Sequence, residues 1–206
     1  MTIQNDIKEQ DLILRFWLGE DQNNLELVKQ KQKIWYSGTE QIDQEIRNNF
    51  GAVYERAATE TLLHWAETAQ GALALVILLD QFSRNLFRGT VRAFAQDPMA
   101  RAVAKRAFNN GLDSEMSVPG RIFLMHPFHH SEELVDQLFG CDRLRDLIDE
   151  GHEEWREMLD TSVEWFNGHR DIVKQFSRFP HRNRLLGRKS TKVEEEYLAE
   201  SSDFGQ

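Results

Sequence analysis

Eight consecutive apolar residues, Ala72 to Leu79, run directly into a carboxylate, Asp80. With an apolar side chain at every position, this segment has no face to offer to water and has to be enclosed by other elements. Alanine and leucine outnumber the β-branched residues in it, which favours helix over strand across residues 72–84. The run is far short of the ~20 residues that a membrane-spanning helix needs. On that helix Leu73, Val76, Ile77, Asp80 and Arg84 share one face, so Asp80 points where the core should be. A carboxylate there demands a partner, and Arg84, one turn on, is the nearest candidate.

Helical signals dominate the remainder. Asp6 is expected to cap a helix that Gly19 stops, and a second helix to run from about Asn24 to Tyr36. A third carries the ladder Ile42, Ile46, Phe50 and Val53 and is expected to continue to about residue 66. Asp97 and Pro98 mark a helix start at which the acid caps, and Asn109-Asn110-Gly111 mark its end. Ser117 and Pro119 open a short helix that Pro127 should limit, and Ser131 should cap the acidic helix after it. A long helix spans roughly His152 to Phe176, with Pro180 ending the run. Thr191 to Glu194 reads as a capping box for a terminal helix, beyond which residues 201–206 should fray. No β-hairpin signature, linker or low-complexity tract interrupts this pattern. The expectation is one all-α domain over residues 1–206, built of antiparallel helix pairs.

A single cysteine, Cys141, and an N-terminus without a basic, apolar leader predict a soluble protein of the reducing cytoplasm. A formal charge of −9 argues against general nucleic-acid binding. The charge is unevenly spread. Residues 80–106 hold six Lys/Arg against two acids and residues 166–192 hold eight against one, so two basic islands stand in an acidic chain.

Three segments concentrate the polar chemistry. The first runs from Asp80 through Arg84, Asn85 and Arg88. The second, His126-Pro127-Phe128-His129-His130-Ser131-Glu132-Glu133, sets histidines beside a helix start, where they can serve as acid/base groups or ligands. The third holds His169, Arg170, Asp171, Arg178, His181, Arg182 and Asn183, with guanidinium groups suited to bidentate recognition of phosphate or carboxylate. His169 also falls on the apolar face of Ile172, Val173 and Phe176, where a plain core histidine would sit. No second cluster has metal-ligand spacing and no phosphate loop or dinucleotide fingerprint is present, so neither a metal nor a cofactor is expected.

The strings LLDQFSRNLFRGTVRAFAQD, PFHHSEE and HRDIVKQFSRFPHRNRLLGRKST, in this order, resemble the bacterial family catalogued as domain of unknown function 924. The resemblance implies a tetratricopeptide-like superhelix of helix pairs and supplies no established catalytic residue. Ser83 stands where the family string implies proline, and His129 where it implies an acid before His130.

Three functional readings follow. In a binding module, Arg84, Asn85, Arg88, His169, Arg170, Arg178, Arg182 and Asn183 would meet an anionic small molecule or an acidic peptide. In a hydrolase-type enzyme on a small phosphorylated or acidic substrate, His130 or His181 would be the acid/base, oriented by Asp80 or Asp171. In the third, the basic islands only tie helix ends together by ion pairs. Convergence of the three segments around one cavity separates these readings.

Overall fold

The computed structural model describes residues 3–200, the side chains of 36 and 37 apart. It is all-helical, with no strand among the described residues. The predicted fraying of residues 201–206 lies outside them.

The apolar run forms the axis of the molecule. It begins in α4 (Ala69–Val76), passes through a π-helical segment (Ile77–Phe82) and ends in α5 (Ser83–Leu86). Every residue from Ala72 to Leu79 is buried, none more than 2% exposed. The wrapping helices are α1 (Ile3–Leu18), α3 (Glu40–Ala58), α6 (Asp97–Asn109) and α7 (Val118–His129). Together they form one core in which Trp17, Phe50, Phe82 and Phe123 meet edge to face or tilted. A second core joins α7 to α8 (Leu134–Asp149) and α9 (Arg156–Phe176), with α2 (Leu25–Ser37) contributing Val28. Gly140 lets α8 approach closely, because a Cβ there would sit 3.2 Å from Phe166 and 3.3 Å from Phe128.

Several boundaries differ from the sequence expectation, each for a local reason. Helix α1 begins at Ile3, so Asp6 lies in its first turn rather than before it, where it still complements the dipole. Helix α3 stops at Ala58 instead of near residue 66. The Thr59 hydroxyl bonds the carbonyls of Glu55 and Arg56, and Glu60 then takes a positive φ of 64°. A 3₁₀ turn (Leu63–Glu67) follows, and Thr68 caps α4 through the Gly71 amide. Asp97 opens α6 without capping it, since its carboxylate faces Arg84. Pro127 lies inside α7, which runs on to His129. Ser131 Oγ accepts from the Glu133 amide and donates to Asp136, so it steadies the loop ahead of α8 rather than the first helical turn. The long helix α9 starts at Arg156, and a left-handed Ser177 closes it before Pro180. The capping box of α10 (Lys192–Glu200) forms as predicted: Glu194 N donates to Thr191 Oγ1 at 3.3 Å and Thr191 N to Glu194 at 2.7 Å.

Candidate functional site

A cavity of about 680 Å³ lies between the two cores, within the range of small-molecule sites. Its walls come from α1 (Trp17), α2 (Ile34, Trp35), the π segment and α5 (Gln81, Arg84, Asn85, Arg88 just after), α7 (Phe123, His126, His129, with His130 just after) and α9 (Phe166, His169). The turn after α9 adds His181 and Arg182. Trp35 is fixed by donating its indole N–H to the Trp17 carbonyl at 2.9 Å.

Asp80 sits behind this wall, fully buried in the widened turn. Its carboxylate accepts from His130 Nδ1 at 2.9 and 3.0 Å and from Gln81 Nε2 at 2.6 Å, and lies 3.2 Å from Arg84. Arg84 also grips Asp97 with two parallel bonds of 3.1 Å and donates to the Asp80 carbonyl. Asp97 lies 3.7 Å from Arg182, so two guanidiniums flank one carboxylate. Burial pushes the Asp97 carboxyl up, against the pull of Arg84. Arg182 is itself buried between the rings of Phe94 and Phe179, 4.6 and 4.5 Å from their centroids. It donates to the His130 carbonyl at 3.0 Å. Burial, then repulsion from Arg84, brings its pKa down to about 10.

The loop carrying Arg182 is anchored from outside. Arg188 binds Glu132 at 2.6 and 2.8 Å, and the Phe179 amide donates to the same carboxylate at 2.8 Å. The segment after α9 is thereby fastened to the α7–α8 loop, next to His130.

Four histidines pack along one side of the cavity. His126 stacks on Phe123, with centroids 4.6 Å apart, and donates Nδ1–H to the Ile122 carbonyl at 2.9 Å. His129 stacks on His169 with centroids 3.8 Å apart and planes 6° apart, and its own carbonyl accepts from His169 Nδ1 at 3.1 Å. Burial first, and neighbouring positive or imidazole groups second, hold His129 and His130 well below the ordinary histidine range. Burial also lowers His126, although Asp80 opposes it, and takes His169 down to about 3. His181, partly buried beside Arg182, falls to about 4. These imidazoles are therefore neutral at pH 7.

Neutrality fixes the His130 tautomer. A carboxylate only accepts, so Nδ1 carries the proton and Nε2 holds a lone pair. Nε2 has no hydrogen-bond partner among the described residues and is not enclosed by protein. This is the arrangement of an oriented general base.

Of the residues singled out in the sequence, Asp80, Arg84, Asn85, Arg88, His130, His169, His181 and Arg182 meet at or immediately behind this cavity. Asn85 and Arg88 are engaged by Asp43, at 2.8 Å and at 2.9 and 3.0 Å. Four others lie off its walls. Asp171 is paired with Arg170 at 2.8 Å, Arg178 with Glu194 at 2.6 Å, and Asn183 donates to Ser190 at 3.1 Å. The sequence reading named His126 within its histidine segment without giving it a role of its own, and it missed Asp43, Gln81, the aromatic wall and the place of Asp97 in the site. Asp43 was detectable as the acid next to Ile42 on the ladder face, while Asp97 was hidden by its resemblance to an ordinary cap. Among the described residues no helix is long and apolar enough to cross a membrane.

Every polar group of this site falls within the stretch that a known sequence family covers. The family described as bacterial protein of unknown function (DUF924) matches residues 13–202. No curated protein matches the chain. A solved structure, of a protein of unknown function, ATU0120, from Agrobacterium tumefaciens, is 34% identical. The match covers 95% of this chain and 99% of that one with a TM-score of 0.80, so the two chains share their helical arrangement. With a profile spanning most of its length and a relative at this identity, the chain belongs to the bacterial family of unknown function DUF924.

Proposed function

We propose that this protein is an acid–base enzyme of hydrolase type, with His130 as the general base and Asp80 as the residue that orients it. The observation that carries the reading is the His130 Nδ1 to Asp80 contact of 2.9 Å, which leaves Nε2 turned to a cavity of about 680 Å³. The Ser83 hydroxyl, the nearest in sequence to Asp80, donates to the carbonyls of Asp80 and Ala93 inside the core. Ser162, on the cavity wall, donates to the Met158 carbonyl. Water is thus the nucleophile that His130 would activate, with Arg84 and Arg182, each beside its carboxylate partner, as N–H donors on the same wall. The scaffold is read as a tetratricopeptide-like stack of helix pairs, a reading supported by the packing of α7 on α8 and α8 on α9.

The test is a turnover screen over small esters, amides and phosphomonoesters with wild type, His130→Gln and Asp80→Asn. Activity should fall by about 10²–10⁴-fold in His130→Gln. Asp80→Asn should lose activity and change the pH profile, because an amide can select the other imidazole tautomer. Undiminished turnover in a folded His130→Gln protein sinks the proposal.

A second reading keeps the cavity as a site for an anionic ligand without chemistry. It is favoured by Arg84, Arg88 and Arg182 sharing one wall. Against it, those guanidiniums already face Asp80, Asp97 and Asp43, which an anion would have to displace. Thermal stabilisation by phosphate or sulfate that vanishes in Arg182→Ala would support this reading, and indifference to both would end it.

A further inference from the structure

Two imidazole lone pairs face the same cavity. His126 gives its Nδ1 proton to the Ile122 carbonyl and His130 gives its own to Asp80, so in each ring Nε2 can only accept. Neither Nε2 has a partner among the described residues, neither is enclosed by protein, and the ring centroids lie 5.7 Å apart. A ligand that meets both must bring hydrogen-bond donors. Lone pairs at two points of the wall repel a phosphate or carboxylate oxygen.

The charged groups point the same way. Arg84 is held by Asp97 and Asp80, Arg182 lies beside Asp97 and against the His130 carbonyl, and Asp43 takes up Arg88. The cations at the cavity are matched by carboxylates, so the site offers no net charge for an ion of either sign. Its remaining wall is mainly apolar, aromatic at Trp35, Phe123, Trp165 and Phe166 and aliphatic at Ile34 and Met158, a surface on which the apolar face of a ring can rest.

We infer that the cavity takes a neutral ester or amide carried on a hydroxyl-bearing ring: one ring hydroxyl donates to Nε2 of His126, the attacking water sits on Nε2 of His130, and after cleavage the released hydroxyl takes the water's place there, with the apolar face of the ring on the apolar wall. This deepens the acid–base reading, on which it rests for the role of His130, by naming the substrate class and by adding His126 as a residue that selects for it.

Three matched probes test this with the full chain at pH 7: catechol, its donor-free analogue 1,2-dimethoxybenzene, and the anion benzoate. Binding is followed by tryptophan fluorescence, and the Nε2 atoms of His126 and His130 by ¹⁵N chemical shift. Catechol should bind at least tenfold more tightly than either other probe and shift both Nε2 resonances. His126→Phe, which keeps a ring against Phe123 and removes the lone pair, should abolish the preference over 1,2-dimethoxybenzene. Should that variant not fold, the three-probe comparison on wild type decides alone. Equal binding of catechol and 1,2-dimethoxybenzene, or tighter binding of benzoate, overturns the inference. The two proposals fail separately. Catechol selectivity with no His130-dependent turnover retains the substrate class and removes the chemistry; His130-dependent turnover of anionic substrates, unaltered in His126→Phe, does the reverse.

Discussion

The rings of His129 and His169 lie face to face, 3.8 Å apart and within 6° of parallel. Such a stack tolerates no charge on both rings, and burial already disfavours charge on either. His169 drops from 6.5 in the unfolded chain to about 3 in the folded one, and His129 and His130 are also well below their ordinary value. The unfolded chain therefore binds more protons below about pH 6.5, and stability falls as pH drops from there towards 3. Each buried neutral histidine adds up to about 1.4 kcal/mol per pH unit across that window. Urea unfolding at pH 7, 6, 5 and 4 should show this decline, and His169→Phe should reduce its slope by about one proton. A flat profile between pH 6 and 4 would contradict the neutral histidine cluster.

Asp97 holds two cations, and removing it should be felt globally. Asp97→Ala leaves Arg84 and Arg182 close together without the carboxylate between them. Breaking a buried ion pair on one side costs about 3–5 kcal/mol. Thermal melts should show a large loss, and the double variant Asp97→Ala with Arg182→Met should recover part of it. Equal stability of wild type and Asp97→Ala would mean that the carboxylate is not needed.

Gly71 and Gly168 make opposite predictions from the same substitution. A Cβ at Gly71 would lie 2.2 Å from the Trp65 carbonyl oxygen, which is backbone and cannot swing away. Gly71→Ala should destabilise by about 1–3 kcal/mol or more through overpacking. Gly168, inside α9, has nothing within 4 Å of its Cβ position. Gly168→Ala should stabilise by about 0.4–1 kcal/mol by restricting the unfolded chain. Denaturant midpoints of the two variants should therefore move in opposite directions.

Cys141 is buried, and burial raises its thiol pKa, with Arg170 opposing. The native protein should react with a thiol reagent such as Ellman's at a small fraction of the rate of the urea-unfolded chain. Comparable rates would place the thiol at the surface.

The sequence disclosed the site in proportion to how local its signals are. Asp80 at the end of an apolar run announced a buried charge, and Arg84 four residues on announced its partner. His126 stood in the histidine segment, but its place on the wall was obscured because Pro127 suggests a break, whereas α7 continues to His129 and its end, with His130 just after, presents the three histidines together. Arg178 carries the same guanidinium as Arg182, yet the turn at Ser177 sends it to Glu194 while Arg182 goes to the cavity. No periodicity encodes that choice, since it depends on Glu132 holding the loop 47 positions away in the chain. Trp17 and Trp35 come from separate helices, and nothing in their spacing foretold that they would line the same wall.

The π segment Ile77–Phe82 acts as a phase shifter in the central rod. One residue of an α-helix turns the chain by about 100°, so an extra residue within a turn resets the angular position of everything after it. Upstream, the rod is keyed to α1 and α6; downstream, Arg84 and Asn85 are keyed to the cavity. The two halves can thus satisfy different surroundings without a break in the helix. A one-residue deletion between 77 and 82 would put them back in step, carrying the polar half off its bearing and into the core.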